Sequence, residues 1–441
     1  MAVSPARLAA FNILLRVERE SAFADELLHS SLLDELSPVD RNLATEIVMG
    51  VLRWRSVLDE TIARLSFTPF RKLDFEVLTA LRMGVYQKQF LSKIPAHASV
   101  NETVELVKQA KKTSAAGLAN AVMRKVKSAA YDPHASRLSG GTESLSAALA
   151  HPKWLVGRWS ALFGQDVAQK ICEYDQRIPA TVLRLSNPED EATLAAQGVQ
   201  LASGALMSTA RIVTTGDASV AQLFHEGKIA IQDEGSQLVA ALVGKGRRIL
   251  DCCAAPGGKT AAMATRLPEA EIVATELHPH RAALLRRLVP QQNVKVVTAD
   301  AVALPYGADF DRVLADVPCS GTGTLAGNPE IKWKLKPEDL IDLQSRQSAV
   351  LKSAMRHVAP GGRLVYSTCS LEPEENEHVI AACIPNSDFK IIPVQNELQR
   401  LRDSGVLVWK NLDELVRGDF LRTIPGVHPC DGFFAAVLEK N

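Results

Sequence analysis

A chain of 441 residues, 46% of them hydrophobic, has the apolar mass for two or three packed cores, and a formal net charge of +0 gives no global basic field for nucleic acid. No apolar run reaches the roughly 20 residues of a membrane span, and Arg7, Arg16 and Glu18 interrupt the N-terminal apolar residues, which argues against a secretory leader. Seven cysteines without a CxxC pair or a Cys/His cluster fit a reducing, cytoplasmic setting and no bound metal.

Residues 1–128 read as an all-helical bundle. "SPARLAAFNILLRVERE" opens with Ser4 as N-cap and Pro5 at the first helical position, and Leu8, Phe11 and Leu15 repeat at helical spacing. Ser37-Pro38 opens "SPVDRNLATEIVMGVLRWRSVLDETIARL" in the same way, and "DFEVLTALRMGVYQKQFL", "ASVNETVELVKQAK" and "GLANAVMRKVKSA" continue the series. Basic residues gather late in this region: Lys108, Lys111, Lys112, Arg124, Lys125 and Lys127. They form either solvated helix faces or a patch that contacts phosphates. Residues 129–150 are small and polar with Gly140-Gly141, and read as a linker. Residues 151–225 read as a small α+β connector. It has helices at "HPKWLVGRWSALFG" and "PEDEATLAAQG", and strands at "ATVLRLSN" and within "GVQLASGALMSTARIVTTG".

From about 226 the pattern alternates. Strands are expected at "RRILDCCA", "AEIVATEL", "VKVVTAD", "DFDRVLADV", "RLVYSTCS", "FKIIPV" and "GFFAAVLEK". Helices fall at "GGKTAAMATRLP" and "PHRAALLRRLVPQQ", and a long one at "PEDLIDLQSRQSAVLKSAMRHVAPGG" ends on Pro360-Gly361-Gly362. This order predicts a mostly parallel, doubly wound sheet with its ligand crevice at the carboxyl ends of the strands.

The candidate chemistry sits at those ends. "DCCAAPGGKT" is a strand, a glycine turn and a helix start, suited to backbone approach by a ligand. Gly258-Lys259-Thr260 matches the end of a Walker A loop, but Cys253 occupies the position of its first glycine, and no GxGxxG is present. Glu276, about 20 residues past the turn, suits the ribose hydroxyls of an adenosine-containing cofactor, and Asp300 suits its adenine amino group. A nicotinamide and S-adenosylmethionine both remain open on those residues. Cys319 in "LADVPCSGTGT" and Cys369 in "VYSTCSLEPEENE" favour the second. A thiolate adding to carbon 6 of cytosine makes carbon 5 enamine-like, so that it can take a methyl group from a sulfonium; Asp316 is placed to stabilise the adduct near ring nitrogen 3. Either cysteine is a credible nucleophile. Cys172, Cys252, Cys383 and Cys430 read as small buried hydrophobes.

The segments "QDEGSQLVA", "DCCAAPGGKT", "DVPCSGTGT", "PEIKW", "STCSLEPEENE" and "DGFFAAVLEK" resemble those of RNA 5-methylcytosine methyltransferases. "DRNLATEIVMGVLRWRSVLDETI", "IPAHASVNETVELVK" and "GLANAVMRKV" resemble the NusB-like RNA-binding domain that marks the RsmB (Fmu, Sun) family within them. The resemblance covers nearly the whole chain and is weakest over 129–225. It implies a multidomain fold: an all-α NusB-like bundle over 1–128, the linker and connector, and a Rossmann-like α/β methyltransferase domain over 226–441. It also implies S-adenosyl-L-methionine as methyl donor and one cytosine of 16S rRNA, free or partly assembled, as substrate. Nothing in the sequence suggests an obligate partner, so a monomer is expected.

By the same resemblance the cofactor contacts are Cys253, Ala254, Ala255, Pro256, Gly257, Gly258, Lys259, Glu276, Asp300 and Asp316. The family often has Asp where this chain has Glu276, and mostly an apolar residue where it has Cys252, which is given no role. The family's order of the two thiols makes Cys369 the nucleophile and Cys319 the residue of product release. Competing readings are a transfer-RNA target, a non-catalytic RNA-binding assembly factor, and a P-loop hydrolase. The intact Cys369, Cys319, Asp316 and "AAPGGK" argue against the second, and Cys253 against the third.

Overall fold

The computed structural model describes residues 3–20, 22–128, 131–132 and 141–441. They form two compact units, Met1–Ile178 with Leu325–Lys334, and Pro179–Thr324 with Leu335–Asn441. Among the described residues no helix is long and apolar enough to cross a membrane.

The first unit is helical. Its helices include Pro5–Arg19, Pro38–Arg53, Arg55–Leu65, Phe75–Phe90, Ala96–Gln109 and Ala116–Lys125. Ile13, Ile47, Leu58, Ile62, Leu81 and Met83 are fully buried in its core. Phe75–Phe90 buries eleven consecutive residues, Val77 to Gln87, as a helix apolar on nearly all sides must. Two local expectations change. Ser4 precedes the first helix without a side-chain cap, because its hydroxyl donates to Glu102 instead (2.9 Å), whereas Ser37 does accept from the Asp40 amide (3.1 Å). The stretch beginning at Ser37 is two helices, broken at Trp54.

The linker and connector boundaries also change. Thr142–Ala148 inside the expected linker is helical, while residues 129, 130 and 133–140 of it lie outside the described residues. The connector expected over 151–225 is divided: helices Lys153–Phe163 and Gln165–Asp175 pack within the helical unit, and its strands belong to the other. Burial of Leu155, Val156, Trp159, Ile171 and Cys172 explains the helices' allegiance. Residues 226–441 are interrupted too, since Leu325–Lys334 joins the helical unit. There Ala24 N donates to Glu330 (2.8 Å), Arg53 Nη2 to Ala326 O (2.9 Å), Trp333 Nε1 to Leu52 O (2.6 Å) and Lys334 Nζ to Ala22 O (2.7 Å).

The second unit holds two sheets. Strands β1 (Val182–Leu185), β2 (Gln200–Ser203), β3 (Ala210–Thr215) and β4 (Ile229–Ile231) form an antiparallel sheet in the order β2-β3-β1-β4. The larger sheet is built from β5 (Arg248–Asp251), β6 (Glu271–Glu276), β7 (Val294–Thr298), β8 (Phe310–Asp316), β9 (Val358–Thr368), β10 (Phe389–Ile392), β11 (Val416–Arg417), β12 (Phe420–Arg422) and β13 (Phe434–Lys440). Its order is β11-β12-β13-β9-β8-β5-β6-β7, with β10 on β13. Strands β9, β8, β5, β6 and β7 are mutually parallel, while β10 to β13 are antiparallel, so the sheet is mixed rather than mostly parallel. The long helix ends at Arg356 and β9 takes up Val358 onward, so Pro360-Gly361-Gly362 bends the strand instead of ending the helix.

Alternation covers both faces of this sheet. Ile249, Leu314 and Val365 enter one core, and their neighbours Leu250, Val313 and Leu364 enter the other. Strand order reverses between β5 and β8, which opens a crevice at their carboxyl ends.

Candidate active site

Each chemical motif of the second unit ends a parallel strand. After β5 the chain passes Cys253, half-buried, and Ala254, whose amide donates to Thr275 O (2.9 Å). It turns through a cis Ala255–Pro256 peptide and enters helix Gly258–Arg266. Gly257 caps that helix at φ 118°, a left-handed conformation, and a Cβ there would lie 2.5 Å from Val289 Cγ2. At Gly258 an added Cβ would meet Gln232 at 3.6 Å, an ordinary contact, so nothing crowds the backbone at the helix start.

Glu276 ends β6, and its carboxylate accepts from the His278 amide (2.9 Å). Asp300 follows β7 and is exposed, accepting from the Val302 amide (2.9 Å). Asp316 ends β8 and holds two partners: Lys259 Nζ donates to one oxygen (2.7 Å) and Ser367 Oγ to the other (2.7 Å). Burial lowers the Lys259 ammonium pKa, but Asp316 and then the negative charge of Cys369 outweigh it and hold the group above its ordinary value.

The two cysteines meet at the mouth of β8 and β9, with their sulfurs 3.3 Å apart as free thiols. The hydrogen bond with Cys369, then burial, raises the Cys319 pKa well above the ordinary thiol range. Cys319 is therefore the protonated member of the pair when Cys369 is ionised. Burial also keeps the Cys253 thiol protonated. Cys172, Cys252, Cys383 and Cys430 are buried, as their sequence context implies, whereas Cys253, Cys319 and Cys369 are half-buried.

A buried polar frame that the motif reading gave no role aligns the two cysteine loops. Glu375 accepts from the Ser320 amide (2.7 Å), the hydroxyls of Ser320 and Ser370 (2.5 Å each) and Gln347 Nε2 (2.8 Å). Thr322 Oγ1 accepts from the Leu371 amide (2.9 Å), and Asn376 donates to Ser370 O (2.9 Å). The signal for this frame was present as two Cys-Ser pairs and the acidic "EPEEN". Its use depends on a fold that brings residues about 50 positions apart together.

The basic residues lie in the helical unit, not in this crevice. Lys108 pairs with Glu105 (2.8 Å) and Lys112 with Asp74 (3.2 Å). Lys111, Arg124, Lys125 and Lys127 are exposed, and Lys125 Nζ sits 3.8 Å from the ring centre of Phe67, itself 85% exposed.

Comparison with known proteins gives this geometry a family. A family model described as "16S rRNA methyltransferase RsmB/F" matches residues 241–439, and the NusB family matches residues 4–128. The probable ribosomal RNA small subunit methyltransferase B of Bacillus subtilis (strain 168) is 32% identical over 98% of this chain and 98% of its own length. The chain belongs to this ribosomal RNA small subunit methyltransferase B family. The Pseudomonas putida member is 33% identical, again over 98% of both chains. The crystal structure of PH0851 covers 100% of both chains with a TM-score of 0.80 at 24% identity, and so shares the fold.

Membership makes the chain an enzyme that methylates small-subunit ribosomal RNA with S-adenosyl-L-methionine as cofactor. The residues present fit that cofactor. The Gly257-Gly258 turn leads into a helix start where a ligand's anionic group is favoured, and the carboxylates of Glu276 and Asp300 lie at adjacent strand ends as acceptors for adenosine hydroxyl and amino groups. Among the described residues no group of three His, Cys, Asp or Glu side chains could hold a metal ion.

Proposed function

We propose that the chain methylates carbon 5 of one cytosine in 16S rRNA through a covalent cysteine adduct. The observation that carries this reading is the pair of thiols 3.3 Å apart beside the Lys259–Asp316 ion pair. Bound S-adenosyl-L-methionine supplies the electrophilic methyl group, and Cys253 to Lys259 with Glu276, Asp300 and Asp316 would hold it. Cys369 attacks carbon 6 of the base as the thiolate, with the Lys259 ammonium nearby. Asp316 serves at ring nitrogen 3.

The chemistry of Cys319 changes during turnover. The hydrogen bond with Cys369, ahead of burial, raises the Cys319 pKa and holds its proton. Once the Cys369 sulfur is bonded to carbon 6 its charge is gone, while burial still opposes ionisation, so Cys319 must pass its proton to water before it can act as a base. It is then free to take the carbon 5 proton, whose loss expels Cys369. This ordering agrees with the roles implied by the family resemblance.

A stacked base must be flipped out before it reaches the crevice, at a cost of about a few kcal/mol that is smallest for unpaired nucleotides. Free or partly assembled RNA in the cytoplasm, met by a monomeric enzyme, is the form this reading takes. Exposed Arg124, Lys125, Lys127 and Lys111, with Phe67 as a stacking surface, supply contacts for it.

The test is methyl incorporation together with denaturing gel analysis of protein–RNA complexes. Cys369→Ala should lose both methyl transfer and any adduct, and normal turnover by this variant overturns the assignment. Cys319→Ala should accumulate a denaturation-resistant adduct; without accumulation, its role in release falls. Bisulfite sequencing of the RNA product locates the cytosine.

A further inference from the structure

Arg184 on β1 is only 7% exposed, yet among the described residues no acidic side chain pairs with it. Its Nε donates to Gln232 Oε1 (2.9 Å) and its Nη1 to Ser186 Oγ (3.1 Å), both neutral acceptors. Burial alone lowers its pKa to about 10, with no carboxylate to restore it. A buried guanidinium without a counter-charge is costly, and native proteins pair such charges.

The guanidinium borders a cavity of about 240 Å³ whose polar lining is Arg184, Ser186, Thr209, Gln237, Thr265 and Arg266. Among the described residues no Asp or Glu lines it. Arg266, exposed at the rim of this cavity, donates to the carbonyls of Ala241 (3.1 Å), Ala240 (3.1 Å) and Gly244 (3.4 Å). Buried Arg184, exposed Arg266 and several hydroxyls therefore line a space that no carboxylate enters among the described residues.

The cavity is coupled to the cofactor turn through one residue. Gln232, which accepts from Arg184, is also the side chain nearest to Gly258 at the start of helix Gly258–Arg266. Thr265 and Arg266 close the same helix at its other end.

We propose that this cavity is a phosphate-binding subsite, and that its occupant is a backbone phosphodiester of the substrate RNA. The enzyme's established substrate carries that group at every nucleotide. Arg184 presents a charged donor already oriented by Gln232 and Ser186, so little side-chain freedom is lost on binding. The contact positions the strand without reading its sequence.

The experiment uses the full-length protein and a 16S rRNA transcript. Arg184→Gln should raise the RNA KM roughly ten-fold and reduce the salt dependence of binding by about one phosphate contact. kcat should not change. Thr265→Glu places a carboxylate at the cavity rim while leaving Arg184 and its hydrogen bonds in place, and should raise KM in the same way. It therefore keeps the proposal testable if Arg184→Gln does not fold.

Inorganic phosphate should raise the thermal midpoint of the wild type but not of Thr265→Glu. If phosphate binds and both KM and the salt slope are unchanged in Thr265→Glu, the pocket holds a free anion and the RNA assignment is overturned. If phosphate has no effect and KM is unchanged, the subsite itself is overturned. Methyl incorporation is read whichever cysteine attacks, so these outcomes are independent of the order of the two thiols.

Discussion

Asp251 ends β5 only 1% exposed, and burial pushes its pKa up to about 7 although Thr260 Oγ1 donates to it (2.7 Å) and Lys259 lies near. Asp316 adds to the rise. The sign of the consequence follows from proton counting. Between the ordinary carboxylate value of 3.8 and about 7, the folded state holds a proton that the unfolded state has lost. Stability therefore falls as pH rises through that window, by at most about 1.4 kcal/mol per pH unit, and is level above it. Asp251→Asn keeps the acceptor for Thr260 and removes the titration. Its thermal midpoint should exceed that of the wild type at pH 8, and the gap should close as pH falls to 5. A constant gap across that range would show that Asp251 is ionised throughout.

At the scale of elements, the loop after β8 is held against the C-terminal segment by two glycines. Gly323 donates to Cys369 O (2.9 Å), and Gly432 donates back to Gly323 O (2.8 Å). A Cβ on Gly323 would lie 2.1 Å from Gly432 O, a contact that only backbone movement relieves. Gly323→Ala should therefore displace Cys319 relative to Cys369 and lower kcat by roughly 100-fold, the cost of a misplacement of about 1 Å. Cofactor affinity should be retained, because the Gly257-Gly258 turn is untouched. Equal loss of both would mean general unfolding.

The strands ending at Asp251, Glu276 and Asp316 were legible because each is a short apolar run followed by a turn, and strand ends are where α/β sheets bind ligands. The partners of the cysteines were not legible in the same way. Glu375 meets Ser320 across 55 positions and Ser370 across five, so its role exists only in the folded register of β8 and β9. Contiguity also misled the domain reading. "PEIKW" lies between methyltransferase elements in sequence, but Trp333 and Glu330 bond the helices of the first unit. Strands β11 and β12, two and three residues long, are too short to show a period.

For the whole molecule, a formal net charge of +0 makes RNA affinity a matter of a few placed cations. Each phosphate neutralised contributes about 0.7 to 0.9 to the slope of log affinity against log salt, so that slope counts contacts over the entire chain. The six basic residues of the helical unit are not equivalent in this count. Lys108 and Lys112 pair with Glu105 and Asp74, whereas Arg124 and Lys127 are exposed and flank Lys125, which sits over Phe67. Arg124→Glu with Lys127→Glu should raise the RNA KM and flatten the slope by about 1.5, while Lys108→Ala should change it little. Phe67→Ala should weaken RNA binding by about 1–3 kcal/mol with no change in slope, the signature of a lost stacking contact. If the helical patch and the Arg184 cavity both hold phosphates, their losses of slope should add when the variants are combined, because independent contacts release independent counterions. A combined loss no larger than either alone would mean that the RNA uses only one of the two surfaces.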